Sequence, residues 1–195
     1  MAPQPTEPIY EGPPVYAGLY DDSFYHYEFS TPQSFTLNWD TVYHYGYGEI
    51  LLDIYGDGSN AIKLALSMDD TLIPPTDEGE SFYLVLPDSM HASLCPETVC
   101  YFGSCHDRLT VDTLAYGERI DTRNYPKTSS NEGKRYSNMW SWWEYEVGSP
   151  SKGAWYYTSG IRYAAFRTNS LKHGWIEIDS TDPEQPKVLS FAMQH

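Results

Sequence analysis

At 195 residues, 41% hydrophobic and 20% charged, the chain has the balance of one globular domain. That length buries roughly 70% of the unfolded surface without a metal or disulfide to help it. Its 27 acidic residues against 12 basic ones give a net charge of −15, which repels phosphate backbones and anionic bilayers and excludes nucleic acid as a partner.

No apolar run approaches the ~18 residues of a membrane-spanning helix, so no transmembrane segment is expected. Met1 opens without a signal-peptide pattern and leads into Pro3, Pro5, Pro8, Pro13 and Pro14. Residues 1–18 therefore read as a Pro-rich extended tether or a peripheral wrap. From Ser23 onward the hydrophobic period is two: Phe35, Leu37 and Trp39 alternate with polar neighbours, as do Leu109, Val111 and Thr113. Strand-sized apolar runs follow at 49–55, 61–67, 82–87, 161–167, 175–179 and 188–193, separated by Gly, Pro and Asp punctuation. No apolar stripe of helical period persists for three turns. Such a series predicts an all-β domain over 19–195, a jelly-roll-like β-sandwich of two antiparallel sheets. Within it, 50–54 and 61–66 form a hairpin around Tyr55-Gly56-Asp57-Gly58-Ser59-Asn60.

The hairpin stretch Leu52 to Asn60 combines with Leu114-Ala115-Tyr116-Gly117-Glu118-Arg119-Ile120, with the strand Ile161 to Arg167 ending Phe-Arg, and with Gly174-Trp175-Ile176 near the end. Together they resemble a loose group of uncharacterised exported β-sandwich proteins of Bacteroidetes and related bacteria. The resemblance implies a secreted or cell-surface protein, often a lipoprotein, whose Pro-rich start is the tether left after signal removal. It assigns no chemistry. Tyr55 and Ala61 stand where that group's loop carries further oxygen ligands.

Four constellations carry candidate chemistry. Asp53, Asp57 and Asn60 are a candidate calcium set, against a tight turn whose acidic and amide side chains bond their own backbone. Cys95, Cys100 and Cys105 with His106 have zinc-ligand chemistry, but neighbours on a strand point to opposite faces. For an exported domain one disulfide is the better reading, Cys95 with Cys100 or Cys105, leaving one free thiol. Glu177 and Asp179 share a strand face with Trp175, an arrangement suited to sugar chemistry; the Glu-x-Asp strand resembles that of one family of jelly-roll retaining glycosidases, which carries a third acid where Thr181 stands here. Trp140 and Trp142 share a face with Glu144 and Glu146, either as core or as a stacking platform.

The sequence thus predicts an exported or surface-anchored, non-catalytic β-sandwich. Its expected partner is a polysaccharide, held by Trp140, Trp142 and Trp175, or another surface protein. Calcium is the one cofactor to weigh. A jelly-roll glycoside hydrolase using Glu177 and Asp179, or Glu144 and Glu146, is one alternative. A structural or adhesin subunit is the other.

Overall fold

The computed structural model describes residues 10–55, 57–58, 61–69, 78–101, 104–125, 135–144, 155, 158–182 and 184–195, with the backbone alone at 61, 69, 78–80, 97–101, 104–108, 135–138 and 140–144. Twelve strands are present among them, and every ladder is antiparallel. The first sheet has the order β1 (Phe24–Ser34), β12 (Lys187–Gln194), β11 (His173–Asp179), β10 (Ile161–Thr168), β6 (Met90–Ala92). The second runs β2 (Asn38–Asp40), β3 (Tyr45–Asp53), β4 (Ala61–Asp69), β5 (Glu78–Leu86), β9 (Arg135–Glu144). A separate hairpin pairs β7 (Leu94–Tyr101) with β8 (Ser104–Val111).

The two five-stranded sheets face each other across one apolar core, which makes the all-β sandwich expected from the period-two pattern. Alternation supplies it: Ile50 and Leu52 on β3, Ile62, Leu64 and Leu66 on β4, Phe82, Leu84 and Leu86 on β5. From the first sheet Ala164, Phe166, Ile176, Ile178, Val188, Phe191 and Met193 meet them. Each fully buried large side chain stabilises the fold by about 1.5–3 kcal/mol. Gly174 on β11 lets the Phe166 ring lie across the ladder, because a Cβ there would stand 2.4 Å from that ring. Trp155 is buried in the same core and its indole N–H donates to the Val111 carbonyl at 2.9 Å.

The predicted hairpin forms with Asp53 opposite Ala61. Two predicted stretches run differently. Phe35 and Leu37 pack partly buried against the core as the chain crosses between sheets, and only 38–40 is strand. Strand β8 ends at Val111, so Thr113 begins a long connection and does not continue the alternation.

Candidate functional site

The outer face of the first sheet, turned away from the core, carries most of the polar and aromatic groups of interest. On β11, His173, Trp175, Glu177 and Asp179 alternate with the core residues Ile176 and Ile178. Their register partners are Arg167, Ala165 and Tyr163 on β10 and Ala192 and Ser190 on β12. Beyond β12, His26 and Glu28 on β1 pair with Ala192 and Ser190.

Two segments cover part of this face. Residues 10–18, predicted as tether or wrap, lie against it with Val15 and Ala17 buried. The connection 112–125 holds them: Ala17 N–H donates to the Glu118 carbonyl at 2.9 Å, Gly117 N–H to Ala17 at 2.8 Å, and Ile120 N–H to Val15 at 2.9 Å. Leu114, Ile120, Tyr163, Ala165, Trp175 and Ala192 complete a second apolar cluster beneath them. Arg123 fastens the connection by pairing with Glu118 and with Asp112, and Arg119 pairs with Asp121 at 2.8 Å.

Glu177 lies where the cover ends. Its carboxylate accepts the Tyr163 hydroxyl at 2.9 Å and, on the other oxygen, the Ser190 hydroxyl. A bulge sets this up: Glu177 pairs with Ser190 and Ile178 with Val188, so Leu189 is the extra residue and the ladder kinks beside the carboxylate. Burial, reinforced by the Glu177 bond, raises the Tyr163 phenol well above its ordinary pKa, so it stays a donor. On one side, Tyr163 neighbours the exposed ring of Tyr116, centroids 6.4 Å apart. On the other, His26 feels the Glu177 charge and stacks on Tyr20, centroids 3.8 Å apart and nearly parallel. Burial pushes the His26 pKa down against the upward pull of Glu28 and Glu177. Tyr20 is 53% exposed and Tyr116 66%. A shallow cavity of about 170 Å³ opens next to Tyr20, between Pro14, Leu19 and Phe24.

The structure redistributes the residues singled out by sequence. Trp175 does stand on the face of Glu177, but it is 1% exposed, walled by Tyr163 at 5.4 Å and His26 at 5.8 Å, and cannot be a stacking platform as it stands. Asp179 is engaged by the Thr181 hydroxyl and amide, which hold its pKa below the ordinary carboxylate range. A general acid needs the opposite shift. Trp140, Trp142 and Glu144 are placed only by backbone register, opposite Phe82, Glu80 and Glu78, and Glu146 lies outside the described residues.

Asp53 turns both carboxylate oxygens to its own loop, accepting Asp57 N–H at 3.2 Å and Gly58 N–H at 2.7 Å. That is the turn chemistry set against calcium above, and Gly58 supplies the positive φ of 72° the reversal requires. Asn60 lies outside the described residues. Among the described residues no three His, Cys, Asp or Glu side chains converge.

The expected bond from Cys95 to Cys100 or Cys105 does not form. Cys95 is a thiol 3.6 Å from the Thr110 hydroxyl. The reason is register: Cys100 pairs with Cys105, and Cys95 lies five residues along the same strand. At ~3.3 Å per residue that is about 16 Å, far beyond disulfide reach. The same separation keeps the three cysteines from sharing one zinc ion.

Comparison with protein-family models, with curated proteins and with solved structures returns no match.

Sequence reasoning missed Tyr20, His26, Tyr116, Tyr163 and Ser190. The lateral pairing of β1, β12, β11 and β10 brings His26, Ser190 and Tyr163 together, while Tyr20 comes from the segment before β1 and Tyr116 from the connection after β8, and only the bare alternation of β1 hinted at it.

Proposed function

We propose that the chain is an exported, non-catalytic β-sandwich that binds a neutral polysaccharide on the outer face of its first sheet. The observation that carries this reading is the row Tyr20, His26, Glu177, Tyr163 and Tyr116: two exposed rings, each one residue removed from a carboxylate that two hydroxyls orient. Aromatic planes cover the apolar faces of sugar rings, and a fixed acceptor between them takes ring hydroxyls. The net charge of −15, with Glu28 beside the row, disfavours anionic chains. The exported setting rests on the resemblance.

Affinity electrophoresis through gels of neutral polysaccharides tests the reading. Tyr20→Ala and Tyr116→Ala are each expected to weaken retention about tenfold, as the loss of roughly 1.4 kcal/mol of stacking would. Retention by no neutral polysaccharide would overturn binding. Release of reducing ends, abolished by Glu177→Gln, would replace it with hydrolysis.

A further inference from the structure

Five buried side-chain polar atoms lack a hydrogen-bond partner among the described residues, and four of them belong to one patch: Arg167 Nε, both ring nitrogens of His173, and Trp175 Nε1. Arg167 and His173 are register partners across β10 and β11, and Trp175 is two residues further along the same outer face. Burial without partners penalises the arrangement, since hydration would satisfy every one of these groups.

What buries His173 comes from elsewhere in the chain. The Tyr10 ring meets it edge-on with centroids 4.6 Å apart, and Tyr125 at 5.6 Å. The Arg167 guanidinium lies over the Tyr125 ring at 4.8 Å. Gln194 on β12 accepts the His173 backbone N–H at 2.8 Å and donates to the Tyr10 hydroxyl at 3.1 Å. Tyr10 is therefore a latch within the covering segment.

We propose that residues 10–18 form an acid-released strap, lifted from the outer face of the first sheet when His173 is protonated. An imidazolium at this position would be buried with no acceptor near it but the Gln194 amide oxygen, which already takes the His173 backbone N–H, and would stand directly across from the Arg167 cation. Beneath the strap, burial first and Arg167 second push the His173 pKa down to about 4, against weaker opposing effects of Asp121 and Gln194. Once the strap lifts, the ring regains water and a value near 6.5.

The direction follows from linkage. A pKa depressed in the closed form means that closure is fully favoured above about pH 6.5 and loses ground as pH falls toward 4. Between pH 7 and pH 5 the open form gains roughly twenty-fold. The groups facing His173 are Arg167 from β10, Gln194 from β12, Asp121 and Tyr125 from the 112–125 connection, and Tyr10 from the strap itself. Asp121 also accepts the Val15 N–H at 3.4 Å, but its pKa lies below the ordinary carboxylate range because Arg119 bonds it, so that anchor stays charged through this window. Opening uncovers Arg167, His173 and Trp175, a donor-bearing patch on an acidic protein.

Hydrogen exchange of the full chain at pH 7 and pH 5, corrected for intrinsic rates, reads the strap through the amides of Ala17, Gly117 and Ile120. Their protection is expected to fall about twenty-fold at pH 5, while β4 and β11 stay protected. His173→Gln should remove the pH dependence and His26→Gln should keep it. Equal protection of wild type at both pH values, or the same acid loss in His173→Gln, would overturn the strap. Should His173→Gln fail to fold, NMR titration of the wild-type imidazole decides: a midpoint well below 6.5 supports the proposal, and one at 6.5 with the strap still protected defeats it.

Discussion

Among the described residues, the outer faces of the two sheets differ most between β3 of the second and β11 of the first. On the second sheet, Tyr45 and Leu51 of β3 stand largely in water, and Lys63 of β4 pairs with Glu49 across the ladder at 2.6 Å. Among the described residues that face mixes charge with isolated apolar groups along β3, while Ala65 of β4 and Ser81 of β5 are buried on it. On the first sheet, Trp175, Tyr163 and His173 stand where water would be, and the fold brings residues 10–18 and 112–125 across to hide them. The inner faces of both sheets are filled by ordinary apolar packing, so the difference is not a matter of core. It shows where this molecule concentrates polar groups that packing alone does not satisfy. Such places are where ligands and moving segments are expected.

The largest effect that would break the contrast comes from Trp175. It stands between Ala165 and Ala192 in the ladder and is buried under the cover, so Trp175→Ala opens a cavity and loosens the strap at once. A loss of about 3–5 kcal/mol in chemical denaturation is expected. A loss within about 1 kcal/mol would mean that the covered face is no second core.

Gly18 comes next. It adopts a positive φ of 76°, and a Cβ there would stand 2.6 Å from the Tyr116 ring and 2.8 Å from Tyr163. Gly18→Ala therefore meets both backbone strain and a clash, with an expected cost of roughly 2 kcal/mol. Since Tyr163 donates to Glu177, the same variant should weaken polysaccharide retention without touching the exposed Tyr20 ring.

How much of this was legible differs between the two faces. Period-two alternation located the strands that line the core, and it assigned Trp175, Glu177 and Asp179 to one face of β11. It could not tell whether that face met water, because the cover comes from Val15 and Ala17, more than 150 residues away in sequence. Those two residues lie in a Pro- and Gly-rich stretch with no periodicity of its own, so nothing local marks them as buried. Cysteine spacing misled for a similar reason. Four intervening residues look like loop distance, but in extended β7 they become a long separation, and the register partner of Cys100 is Cys105 on β8.

Tyr20→Ala separates binding from folding. The ring is more than half exposed and rests on His26 alone among close stacking partners, so stability should change by within roughly 1 kcal/mol. Retention on polysaccharide should fall all the same. A larger loss of stability would make the ring part of the cover.

The smallest effect belongs to the bare face. Lys63 and Glu49 are both about one-third exposed, and the Tyr47 hydroxyl also donates to Glu49 at 3.0 Å. An ion pair in that setting gains little in high dielectric and loses part of the gain to ordering two long side chains. Lys63→Met is therefore expected to shift stability by at most about 1 kcal/mol, and 1 M salt should shrink even that. The same salt should leave the apolar Trp175 effect intact, because screening acts on charges and not on buried area. If Lys63→Met instead cost as much as Gly18→Ala, the second sheet would also depend on its outer face, and the contrast between the two sheets would collapse.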